Sequence, residues 1–155
     1  MENNNEVVSD LKGLINILND GKEGYASASE TTERSELKGV FQTYSAQRAA
    51  FAEELKSHLH AHGGDSENES GGVLGALHRT WIDIKQALSN KDDVSILGAI
   101  ETGEKAAIEK FDAVLDDPAT HADHVALLQR QRTGIREALT EIETYRHRLE
   151  NLNDL

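Results

Sequence analysis

Between Leu97 and Phe111 the chain reads LGAIETGEKAAIEKF, and two acids within this stretch restrict every fold open to it. Wound as a helix at about 100° per residue, Leu97, Ile100, Ala107, Ile108 and Phe111 share one apolar face. Glu104 falls near the middle of that face, and Glu101 sits at its edge. Carboxylates three apart on a helix are neighbours, so both can reach one buried partner. An ionised carboxylate is tolerated in a core only when it is paired with a cation or bound to a metal. Which of the two applies here is the central question about this chain.

The remaining segments show the same helical period. Leu11, Leu14, Leu18, Gly21, Tyr25 and Ala28 alternate spacings of three and four, widened by Val7 and Ile15. Asn19-Asp20-Gly21 is a turn signal, but the stripe stays in phase across it. The expectation is one helix over residues 6–31, with Gly21 letting a neighbour approach closely. A second helix over 35–62 places Leu37, Val40, Phe41, Tyr44, Phe51, Ala52, Leu55 and Leu59 inward, with Arg48 on the same face. Gly63-Gly64 stops it, and residues 63–71 form a flexible acidic linker. A shorter helix over 72–89 presents Val73, Leu77, Trp81, Ile84 and Leu88, with His78 at its margin. Asp92 or Asp93 caps the next helix, which runs to about residue 115. The last, over 119–151, aligns His124, Leu128, Gln131, Ile135, Ala138, Ile142, Tyr145, Leu149 and Leu152. A single proline, few aromatics and abundant Ala, Leu, Glu and Gln agree with an all-α chain. At 155 residues it is expected to be one domain.

The formal net charge of −12 disfavours nucleic-acid backbones and anionic membranes as partners. No apolar run is long enough to span a bilayer, and MENNNEVVSD carries no secretion signal. The chain has no cysteine, which rules out disulfides and thiolate metal sites and fits a cytoplasmic protein. The charged outer faces of the long helices leave a homodimer open.

A faint internal repeat aligns AQRAAFAEEL at 46–55 with RQRTGIREAL at 130–139, matching Gln47-Arg48 to Gln131-Arg132. ILNDG at 17–21 aligns with AIETG at 99–103 at nearly the same offset. Either a helical hairpin was duplicated, or amphipathic helices of like composition resemble one another.

LNDGKEGY at 18–25, FQTYSAQRAAFAEEL at 41–55, LHRTWIDIKQAL at 77–88 and ETGEKA at 101–106 together resemble one family. It is a family of small bacterial ferritin-like four-helix-bundle proteins classed as a domain of unknown function. The resemblance spans roughly residues 8–150, with HRTW and ETGE its most specific parts. It implies a ferritin-like bundle with an extra short helix in the crossover, and by general type a link to stress. It supplies no activity.

Ferritin-like di-iron proteins place a Glu on each of two helices and Glu-x-x-His on each of the other two. Glu101 or Glu104 suits one lone-Glu position. Glu54 and His58 are four apart rather than three, and the last helix offers Glu141 and Tyr145 without a histidine. Arg48, joined by Arg132, occupies core-facing positions where a second cation would repel a metal. The favoured reading is a buried polar cluster of Arg48, Glu101, Glu104, His78, Gln131 and Arg132 in a non-catalytic binding or structural protein. The alternative is a carboxylate protein that binds iron or another metal through Glu101, Glu104, Glu54 and His58, for oxidation or iron handling. His58, His60 and His62 suggest zinc, but on a helix His60 points away from the other two, and two ligands fall short of a site.

Overall fold

In a computed structural model of the chain, residues 2–61, 92–117 and 122–153 are described. They form four helices and no strand: α1 Glu2–Thr31, α2 Ser35–Ala61, α3 Asp93–Asp116 and α4 Ala122–Asn153. The expected linker over 63–71, the expected short helix over 72–89, His78 and the HRTW motif lie outside the described residues.

Local chemistry sets the helix ends. Asp92 caps α3, accepting from the Val94 amide at 3.3 Å and from the Ser95 hydroxyl at 2.8 Å, so one side chain satisfies two donors of the first turn. Glu36 stands in the first turn of α2 and His58 and His60 in its last, as the helix dipole favours. α1 continues unbroken through Asn19-Asp20-Gly21, because its apolar stripe buries on both sides of the glycine.

Three helix ends meet at one end of the bundle. The Thr32 hydroxyl, just past α1, donates to Asp93 Oδ1 at 2.7 Å, and Arg34 Nε donates to Asp93 Oδ2 at 3.2 Å. α3 therefore starts where α1 ends and α2 begins. α4 runs against α2, since Arg130 near its start pairs with Glu54 and Tyr145 near its end reaches Glu36. α1 packs on α2 and α3, and α4 on α3 and α2. All adjacent helices are thus antiparallel, and α2 and α3 stand parallel on opposite corners. Ala61 and Asp92 consequently lie at opposite ends of the bundle, separated by about the 40 Å length of α2 at 1.5 Å per residue.

The core is in two parts. One cluster takes Leu11, Leu14 and Leu18 from α1, Ala52, Leu55 and Leu59 from α2, Ala107 and Phe111 from α3, and Leu128 and Ile135 from α4. The other takes Tyr25 and Ala28, Leu37 and Phe41, Leu97 and Ile100, and Ile142 and Leu149 from the same helices in turn. Each helix passes from one cluster to the other across a short gap. Those gaps lie at the same level and hold Gly21, Arg48, Glu101, Glu104 and Ala138. The bundle therefore has a polar waist between two apolar halves.

Burial on α4 follows the stripe from His124 to Leu149 except at Tyr145, which is half-buried, and Leu152 is exposed. The internal repeat does not keep its register. Its alignment sets Arg48 and Ala52 against Arg132 and Arg136, whereas Gln131 and Ile135 are the buried α4 residues. An offset of one residue turns a helix by about 100°, so the likeness of the segments does not carry over to equivalent core positions.

Candidate functional site

Arg48 and Glu104 are both buried, at 1% and 3% exposed. Arg48 reaches from α2 across the bundle diagonal to Glu104 on α3, joining two helices that do not pack on each other. Nη1 donates to Oε1 and Nη2 to Oε2, each at 2.5 Å, the two-pronged geometry a guanidinium and a carboxylate share. Nε donates to Gln47 Oε1 at 3.2 Å. The Tyr25 hydroxyl donates to Glu104 Oε2 at 2.7 Å, so each carboxylate oxygen is bonded. The guanidinium carbon lies 5.4 Å from the centre of the Tyr25 ring, within cation–π range. The rings of Tyr44 and Phe41 each pack on Tyr25, with centroids 5.5 Å and 6.1 Å from its own.

Gly21 makes room for this cluster. A Cβ at Gly21 would stand 3.4 Å from Arg48 Nη1 and 3.5 Å from its Cγ, so anything longer than a methyl would enter the space of the guanidinium. The close approach that the glycine permits is by a side chain rather than by a helix backbone.

Burial pushes the Arg48 guanidinium towards its neutral form, but the Glu104 charge and hydrogen bonds outweigh this and hold its pKa above the ordinary value. Burial, then the Glu104 charge, pushes the Tyr25 hydroxyl well above its ordinary 10. Tyr44 is pushed up to about 12, by burial and then by Glu141 on α4. Tyr145 is raised by burial and by its hydrogen bond to Glu36, at 2.9 Å. These are all three tyrosines of the chain. Above pH 10 an unfolded chain releases phenol protons that the folded chain retains, so the tyrosines' contribution to folding stability is fully present below about pH 10 and is lost as pH rises beyond it. Ultraviolet titration should show phenolate appearing in the folded protein only above the ordinary range near pH 10, and its release together with the loss of helical circular dichroism. Free titration of all three tyrosines at the ordinary value, with the helices intact, would contradict this environment.

The other residues singled out in the sequence divide between this waist and other places. Glu101 is buried but pairs with Arg146 of α4, which also holds Glu150. Gln131 is buried, yet its amide donates to the Phe51 carbonyl at 3.1 Å and to Glu54 at 3.3 Å, on the α2–α4 seam rather than to Arg48 or Glu104. Arg132 departs from its expected inward place. It is half-buried and pairs with Asp112, because Gln131 takes the inward position of that turn. Glu54 is held by Arg130, whose hydrogen bond lowers the carboxyl pKa. His58 meets the buried His124 ring edge-on at 5.1 Å.

The donor set does not suit the di-iron pattern. At the waist, α2 presents Arg48, α1 presents Gly21 and Tyr25, and α4 presents Ala138, leaving α3 alone to supply carboxylates. Each of these carboxylates is already bonded to an arginine. Among the described residues no three His, Asp or Glu side chains are grouped to hold a metal ion. No described helix is long and apolar enough to cross a membrane.

Residues 6–117 match the model of the family described as domain of unknown function (DUF2383). The chain belongs to that family. The stretch matched to DUF2383 takes in Tyr25, Arg48 and Glu104, the three side chains bonded together at the waist. Gln131 and Arg146, on α4, lie beyond it. No curated protein and no solved structure matches the chain.

Proposed function

We propose that this chain is a single-domain, ferritin-like bundle that acts as a non-catalytic binding or structural protein, with an internal ion pair where di-iron bundles carry their metals. The observation that carries this reading is the two-pronged Arg48–Glu104 pair at the waist. One long crossover between parallel helices is the connectivity of ferritin-like folds, which supports the fold assignment. Such folds build their metal sites at mid-bundle from inward carboxylates and histidines. Here the corresponding level holds the Arg48 guanidinium, a glycine, an alanine and two carboxylates of one helix, each already paired with an arginine. A divalent ion entering it would have to displace a guanidinium and leave that charge buried, which is strongly unfavourable.

Adding Fe(II) in air to protein purified without chelators tests the reading. The expected outcome is no stoichiometric iron after desalting and no oxo-bridge absorption band. Retained iron with such a band, both lost in Glu104→Gln, would replace this reading with a di-iron one.

A further inference from the structure

The waist meets its cation by shape as well as by charge. Two oxygens of one carboxylate take the two terminal nitrogens of Arg48 separately, Gln47 takes the third, and the Tyr25 ring lies at cation–π distance. Gly21 leaves the space beside Nη1 free of side-chain atoms. A planar cation with three N–H edges uses every one of these features. A divalent metal would find the Glu104 carboxylate, the Gln47 amide oxygen and the Tyr25 hydroxyl, well short of the six or so oxygens that hard cations take and without the nitrogen or sulfur ligands of a zinc set.

We infer that the waist is a guanidinium-binding cradle formed by Glu104, Gln47, Tyr25 and Gly21, with Arg48 as its tethered ligand. Once the tether is cut, the cradle takes a free alkylguanidinium in preference to a divalent metal. The inference rests on the metal-free reading of the core, but it is tested on a different protein form, so the two can fail separately.

Arg48→Ala in the full chain removes the guanidinium and leaves the other cradle residues in place. Its thermal melt should lie well below that of wild type. Methylguanidinium at low millimolar concentration should raise it in a saturable way, recovering a substantial part of the loss. Tetramethylammonium at equal ionic strength and Zn2+ should not do so, and Arg48→Ala with Glu104→Gln should lose the response. An equal rise with both organic salts, or a larger rise with Zn2+, would overturn the cradle. Arg48→Lys provides a second reading should the alanine variant fail to melt cooperatively. Lysine keeps the charge without the fork, so this variant should melt below wild type. A lysine variant as stable as wild type would show that charge alone suffices, and would also overturn the cradle.

Discussion

Ile135→Asp should give a chain with no cooperative melt. Ile135 is fully buried among Leu14, Leu55, Leu128 and their neighbours, in the apolar half next to the waist. The substitution removes roughly 2–3 kcal/mol of apolar burial and inserts a carboxylate at several kcal/mol more unless it finds a partner. Arg48, the buried arginine of the core, already has both terminal nitrogens on Glu104. Against a typical domain stability of about 5–15 kcal/mol, that loss is most or all of the total. Thermal circular dichroism reads the outcome. A sharp transition near that of wild type would mean that α4 does not close the core at this level.

Arg48→Met and Glu104→Gln should each cost about 3–5 kcal/mol, because each strands the other member of the pair as a buried charge. The cost arises from desolvation rather than from the worth of the pair, since water would have solvated each ion in the unfolded chain. Glu104→Gln also weakens the acceptor of the Tyr25 hydroxyl, so it should be the more harmful of the two. Urea titrations would give both losses on one scale.

The sequence makes the pair accessible to reasoning for a plain reason. Glu104 is flanked on its helix face by Ile100, Ala107, Ile108 and Phe111, all buried, and Arg48 lies between Phe41 and Ala52, buried likewise. A charge set in an apolar stripe of the right period has nowhere to go but inward. What periodicity leaves out is how far a long side chain reaches. Arg146 stands one residue past Tyr145, off the stripe of α4, yet it extends along the boundary to meet Glu101. Arginine stems commonly lie over apolar surface in this way, with the head at a polar site. From sequence both acids can reach one buried partner, and nothing in the spacing of α4 singles out Arg146 as the cation for Glu101.

Arg132 is the opposite case, half-buried where the repeat would put it inward. Its match to Arg48 in the internal repeat suggests an inward position, while the phase of Leu128, Ile135, Ala138 and Ile142 selects Gln131. Phase determines burial, and similarity of short amphipathic segments does not. Tyr25 is legible as a core residue from its spacing, but its hydrogen bond depends on which residue α3 places opposite it. Gly21 likewise could be read as a contact point, though not as the space that holds a guanidinium. The arrangement of four helices about their axis supplies both facts, and no single helix encodes it.

The most direct test of a core closed by an internal ion pair is the coupling between Arg48 and Glu104, measured as a double-mutant cycle on Arg48→Met, Glu104→Gln and the double variant. A neutral methionine facing a neutral glutamine strands no charge. The double variant should therefore be clearly more stable than the sum of the single losses allows, recovering much of what either single loses. Single losses that simply add, with no recovery, would contradict the account.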